Sequence, residues 1–282
     1  MNLFLQITFG FITLAFLFIT FVPMEKMFPA KRQQSLFRPH VFTDILFFVG
    51  QMVIWNGLVL FALSNFNDWL GVHLQGNFRA TISSQPWILQ AIEVIILSDF
   101  LIYWGHRLQH NNKFLWRFHK VHHSAEHLDW IAAYREHPLD TIYTVGIINL
   151  PALILGFDLQ AIIGFIAFRG IWAIFIHSNV RIQLGPLKKV IGSPDLHHWH
   201  HAKDKHAGNY ANVSPLMDIM FGTYVCPPVE PESLGIQEKF PKNYFAQILH
   251  PLLPDRISRL PIVENLLYFK RRLQDSNTTK ER

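Results

Sequence analysis

Imidazole side chains crowd one part of this chain: thirteen of its sixteen histidines lie between positions 106 and 206. Three spaced groups stand out, His106-Arg107-Leu108-Gln109-His110, His119-Lys120-Val121-His122-His123 and His197-His198-Trp199-His200-His201. On a helix, residues three and four apart share a face. His106 should therefore point with His110, His119 with His122 and His123, and His197 with His200 and His201. Neutral imidazole is the commonest metal ligand. One such pair is weak evidence, but three groups of helical spacing predict a metal centre. His177, at the end of an apolar segment, is expected to add a ligand from a fourth element. A tetrahedral zinc takes four ligands, three in a catalytic site, so these residues exceed one ion and suit two. Cys226 is the only cysteine, which removes disulfides and cysteine-rich metal sites. Iron accepts imidazole with coordination positions left open, and that suits oxygen chemistry.

The elements that must carry these residues read as membrane helices. Half of the 282 residues are hydrophobic and 16% are charged, against about 25% in soluble domains. The uncharged run 3–22 is long enough to cross a bilayer, and it lacks the flanks of a signal peptide. Segments 41–64 and 86–105 give two further spans, with 65–85 as a polar, turn-rich loop. Segments 138–156 and 159–177 are short for spans and read equally as a hairpin that stops part-way or as two crossings. Lys and Arg gather in 23–40 and 106–137, which places those loops on the cytoplasmic side by the positive-inside rule. All three histidine groups then lie on that side, at or beyond the ends of spans. The expected fold is all-α: a multi-pass membrane helical bundle with a cytoplasmic-side, histidine-rich helical cap holding a di-metal site. It forms one integral-membrane domain, 1–282, with N-terminal spans in 1–98, the catalytic core in 99–224 and a C-terminal region in 225–282. The net charge of +5 sits on residues flanking apolar segments, so it points to a membrane surface and not to nucleic acid. The tail from Lys270 is expected to fray.

Local signals refine the site. Ser193-Pro194-Asp195 offers an N-cap serine, proline at N1 and an acid in the first turn, and His137-Pro138-Leu139-Asp140 resembles a second helix start. Asp99, Tyr103, His106 and His110 follow one helical face. Asp99 is placed either to orient a ligand histidine or to pair with the membrane-embedded Arg169. His198 points aside from the other members of its group, as an outer partner or a spare. Isolated His40, His73 and His250 read as surface or structural residues, and His127 and His206 as outer ones. Two rival classes remain: a histidine-lined metal transporter, whose ligands should lie deep within the spans, and a membrane zinc hydrolase, for which Glu136 is the nearby general base.

The three groups, with Leu115-Trp116-Arg117-Phe118, Arg135-Glu136-His137-Pro138-Leu139, His177-Ser178-Asn179, Asn209-Tyr210 and Phe221-Gly222-Thr223-Tyr224, resemble the membrane-bound fatty acid hydroxylase/sterol desaturase superfamily. The resemblance runs from about Asp99 to Tyr224. It implies two non-haem irons on a histidine cage at the cytoplasmic face, and O2 as co-substrate for attack on C–H bonds of lipids. By the same resemblance His106, His110, His119, His122, His123, His197, His200 and His201 are ligands, joined by His177. Some relatives carry another histidine where this chain has Arg181, and Asn179 or water would then substitute. His137 reads as a helix cap or a partner just outside the ligand ring. Acids such as Asp99, Asp129 and Asp195 would offset the charge of the ions. The implied partners are a bilayer lipid and a separate electron donor, a cytochrome b5-like protein or a ferredoxin with its reductase. The implied membrane is the bacterial inner membrane or the endoplasmic reticulum.

Overall fold

The computed structural model describes residues 3–74, 77–157, 159–182, 184–203, 208–258 and 260–268. His206 and the tail from Lys270 lie outside the described residues. Every extended element is a helix, and among the described residues the only β-pairing is two isolated bridges, Pro29 with Val180 and Ala202 with Leu234.

Among the described residues, four helices are long and apolar enough to cross a membrane: Phe4–Met27, Val41–His73, Trp87–Asn111 and Pro138–Leu155, with Ala167–His177 as a shorter apolar stretch. The first crossing is α1 (Leu3–Met27). The second is continuous through α2 (Val41–Gly50), one π-helical turn at Gln51–Trp55 and α3 (Asn56–His73). The loop expected over 65–85 is therefore mostly helix, α3 running on to His73 and followed by α4 (Asn77–Ser83). Its polar side chains support the helix: the Asn65 amide donates to the Phe61 carbonyl at 2.7 Å and His73 Nδ1 to Trp69 at 2.8 Å, while Trp69 stacks on His73. Polarity marked the solvent there, not a break in the backbone.

The site hangs on α5 (Trp87–Asn111). Its 25 residues extend about 37 Å at 1.5 Å each, beyond a hydrocarbon core of roughly 30 Å, so its last turns can carry His106 and His110 out of the apolar layer. Asn112 alone forms the corner to α6 (Lys113–His123). Its backbone is extended, and its side chain accepts from the amides of Phe114 and Leu115, satisfying two of the free donors of a helix start. The helix α7 (Pro138–Leu155) begins as expected, with Pro138 in its first turn and the His137 ring accepting from the Leu139 amide. It ends at Gly156 in the left-handed region (φ 76°). It packs closely along α5; a Cβ on Gly105 would come within 2.6 Å of Ile147 Cδ1. Then follow α8 (Leu159–His177), α9 (Pro194–His200), α10 (Leu216–Met220) and α11 (Tyr244–Leu249).

The core lies where the spans meet the cap. Leu17, Phe21 and Val22 of α1 pack with Val41 and Phe48 of α2, with Trp130 and Ile131, and with Ile174 of α8. Beside it a wholly buried ion network joins loop to helix. Arg38 makes a two-pronged bond to Asp129 at 2.6 Å and reaches Asp44 at 2.8 Å, and Arg135 binds the other oxygen of Asp44 at 2.5 Å. Two guanidinium groups thus face two carboxylates with no net charge. Glu25, at the end of α1, accepts from the amides of Trp130 and Asn179, tying that span to the chain leaving α8.

Candidate metal centre

Nine histidines from four places in the chain converge into two adjoining groups. His106, His110, His119, His123 and His200 form one; His122, His177, His197 and His201 form the other. Within each group the nearest ring nitrogens all lie within 4.8 Å of one another.

Helical spacing explains which residue goes where, and it corrects the expectation that each group points together. At 100° per residue, i+4 lies about 40° to one side of i, and i+3 about 60° to the other. On α6, His119 and His123 therefore serve the five-membered group, while His122 turns to the other. At the third group the allocation reverses: His197 and His201 join the four-membered group and His200 crosses to the first. Each His-x-x-His-His segment so contributes to both groups. The two sites share walls and stand side by side.

The ring orientations are set from behind. His106 Nδ1 donates to the Tyr210 carbonyl at 2.8 Å, His200 Nδ1 to Gly208 at 2.6 Å, His122 Nδ1 to Arg135 at 3.2 Å and His177 Nδ1 to Ala173 at 2.6 Å. A carbonyl only accepts, so in these rings the proton sits on Nδ1 and Nε2 presents a lone pair. For His119 the acceptor is a carboxylate: Nδ1 donates to Asp140 Oδ2 at 2.9 Å, and Gln109 donates to Asp140 Oδ1 at 2.6 Å. Such a carboxylate–histidine pair fixes the tautomer and raises ligand basicity.

The lone pairs then confront one another. Nε2 of His106 lies 3.0 Å from Nε2 of His119, and Nε2 of His122 lies 3.0 Å from Nε2 of His177. No hydrogen is available for either contact, since all four rings carry theirs on Nδ1. His110 Nε2 and His200 Nε2 are buried without a hydrogen-bond partner. Protonation would relieve the repulsion, but the surroundings oppose it. Burial, then the neighbouring rings, holds His122, His123, His197 and His201 well below the ordinary imidazole range. Burial pushes His200 down to about 3 despite its bond to Gly208. Buried neutral nitrogens converging on shared points fit cations, one per group.

The residues expected just outside the ligands fare unevenly. Asp99 reaches no histidine. It lies 3.6 Å from Arg169 and accepts from the Ser214 amide at 3.0 Å, the alternative left open for it. Asp129 is taken by Arg38, and Asp195 accepts from the Ser193 hydroxyl, so neither carboxylate touches a ligand ring. Ser193 holds the N-cap position of α9, but that same bond diverts its side chain from capping. Asn179 spends its amide on the Lys31 backbone, accepting at 2.8 Å and donating at 3.2 Å, and Arg181 bonds Pro228; the four-membered group closes without either. His198 has both nitrogens engaged, by Glu230 at 2.7 Å and the Ser178 carbonyl at 3.0 Å, as an outer brace. His137 caps α7 and donates to Ile248 at 3.1 Å. Glu136 accepts from the Thr141 hydroxyl at 3.0 Å.

Asp140 is the residue that sequence reasoning missed. It was legible only as the acid of a helix start; its signal was being the one acid in an otherwise uncharged apolar segment. Gly208 was missed too. Its carbonyl holds His200, and a Cβ there would meet the Thr223 carbonyl oxygen at 2.5 Å. Access to the five-membered group is through a cleft of about 660 Å³ that reaches His110, His123 and His200.

Comparison with known proteins gives the same region. The fatty acid hydroxylase family matches residues 91–223. An ornithine lipid hydroxylase of Rhizobium tropici is 34% identical over 170 residues, 59% of this chain and 51% of that protein. The alkylglycerol monooxygenase of Homo sapiens is 34% identical over 129 residues, 45% of this chain and 28% of its own length. A putative Delta(7)-sterol-C5(6)-desaturase of Arabidopsis thaliana is 29% identical over 167 residues, 57% and 58% of the two chains. The chain thus spans about half, or less, of the length of the first two. No solved structure gives a significant match.

Proposed function

We propose that this chain, whose residues 91–223 match the fatty acid hydroxylase family, is a member of the fatty acid hydroxylase/sterol desaturase superfamily and an O2-dependent, membrane-bound di-iron enzyme that hydroxylates or desaturates a C–H position of a lipid. The observation that carries the reading is the pair of histidine groups with Nε2 lone pairs face to face at 3.0 Å. His106, His110, His119, His123 and His200 would hold one iron; His122, His177, His197 and His201 would hold the other. Zinc sites with three or four ligands would not use nine imidazoles.

Iron at these positions supplies reductive activation of O2 and attack on an unactivated carbon. The rest is done by the chain. The carbonyls of Tyr210, Gly208, Arg135 and Ala173 keep their imidazoles in the ligating tautomer, and the Asp140 carboxylate offsets positive charge behind His119. Burial of the four-membered group excludes water from that side, while the cleft at His110 and His123 leaves the other side open to substrate. The lipid enters from the bilayer, because the groups stand at the ends of apolar helices. With the positive-inside assignment, the site lies at the cytoplasmic face of a bacterial inner membrane or of the endoplasmic reticulum. Electrons come from a separate cytochrome b5-like or ferredoxin donor.

The test is chemical. Protein purified under mild chelation should retain about two irons per chain, as two separate groups of this size require. Lipid extracts from cells with and without the protein should differ, in an O2-dependent way, by the mass of one oxygen or of two hydrogens. Iron-free protein with full activity, or His122→Ala with unchanged activity, would refute the reading.

A further inference from the structure

We propose that the cleft beside the five-histidine group seats the anionic head of a bilayer amphiphile, so that the carbon presented for oxidation lies within a few bonds of that head and not deep in an alkyl chain. This rests on the function proposed above and names the substrate class of the same site.

Away from the histidines, Trp116, Tyr210 and Ile236 line part of the cleft, and Arg107, Asn111, Lys203, Gln237 and Glu238 form the polar part of its wall. An alkyl chain filling it would strip water from these groups and return no hydrogen bond; a polar head would replace the water. The sign of its charge follows from the wall. Glu238 is already paired with Lys120 at 3.0 Å. Arg107 donates to the Tyr103 hydroxyl at 3.1 Å, its guanidinium lies 5.4 Å from the Trp104 ring centre, and the Asp218 carboxylate interacts with its charge, but among the described residues no carboxylate forms an ion pair with it. Lys203 adds a second cation. A carboxylate or phosphate is the complement, and arginine grips either with two parallel bonds.

The same helix face supplies the route. Trp104, Arg107, Leu108 and Asn111 are spaced to share one side of α5, which therefore runs from the apolar layer into the cleft. Trp104 and Leu108 are 40% and 50% exposed, and Phe221 packs on Trp104 with ring centres 4.8 Å apart. Beside it Met220 is 68% exposed. An amphiphile with its chain against these side chains turns its head inward past Arg107 and brings its first carbons to His110 and His200. The occupant is accordingly a membrane lipid and not a free anion.

The test is equilibrium binding to the full-length, metal-containing chain in detergent, without O2, so that no turnover is needed. The probes are oleoyl lysophosphatidic acid, monooleoylglycerol with the same chain but no phosphate, and inorganic phosphate as competitor. The phosphate-bearing lipid should bind about tenfold more tightly than the neutral one, the equivalent of about 1.4 kcal/mol. Arg107→Gln should abolish that preference, Arg107→Lys should keep most of it, and Lys203→Gln should reduce it. Inorganic phosphate should not displace the lipid. Equal binding of the two lipids, an Arg107→Gln protein that keeps the preference, or displacement by inorganic phosphate would each overturn the proposal. So would an Arg107→Gln protein impaired only in accepting electrons, which would make the cleft a docking face for the donor. Selective lipid binding without iron or O2 uptake would sink the oxygenase reading alone; iron and O2 uptake with unselective binding would sink this one alone.

Discussion

Asp140 shows what a single side chain does here. It accepts from His119 on one oxygen and from Gln109 on the other, so its carboxylate is held against the His119 ring. Asp140→Asn keeps a hydrogen-bond acceptor and the shape but removes the charge. Iron retention against a chelator, and activity with it, should fall roughly 10- to 100-fold, the range for such partners of ligand histidines, while the thermal midpoint of the metal-stripped protein changes little. Unchanged retention would mean that Asp140 only positions α7. Its role was invisible in the sequence because His119 and Asp140 meet through the fold and not through local spacing.

At the scale of elements, placement of the ligands depends on corners and ties as much as on helices. Asn112 reverses the chain between α5 and α6, and the Arg38–Asp44–Asp129–Arg135 network fixes the loop whose Arg135 carbonyl holds His122. Removing one partner of a buried ion network leaves an uncompensated charge and costs about 3–5 kcal/mol. Asp44→Ala should therefore lower the unfolding midpoint markedly in detergent. If it refolds, it should lose metal from the His122 group before the His119 group, seen as a fall in iron content toward half. An Asp44→Ala protein as stable as the parent would show that the network carries no net stability. The starts of α7 and α9 were legible from Pro138 and Pro194, because proline at N1 is a local signal. The polar run after residue 64 was misread, because helices stay intact beyond a membrane when their side chains bond their own turns.

For the molecule as a whole, gathering so many imidazoles has a pH consequence. In the fold His122, His123, His197, His200 and His201 are depressed below the ordinary value. Unfolded, each titrates near 6.5. Below that pH the unfolded chain binds more protons than the folded one, so stability falls as pH falls. The metal-stripped protein should lose on the order of 1 kcal/mol per ring per pH unit below about 6.5, measured as a denaturation midpoint dropping between neutral pH and pH near 5. Bound metal should raise the midpoint at every pH without removing that dependence, because the folded rings are neutral already and only the unfolded chain takes up the protons. A midpoint independent of pH in the stripped protein would mean that the rings are hydrated and ordinary.

The sequence by itself determined the materials: long apolar helices, a metal-binding chemistry of imidazole without thiolate, and nine candidate ligands spaced for helices. Those properties are local, written in composition and in the 3.6-residue period. Only the tertiary structure decided the partition into five and four, with His122 and His200 each crossing to the group of the other segment. It also decided that Asp140, and not Asp99, backs a histidine of the cluster, and that a polar cleft opens beside the five-membered group. Each of these depends on the angle and depth at which distant helices meet, and no residue's neighbours in sequence encode that.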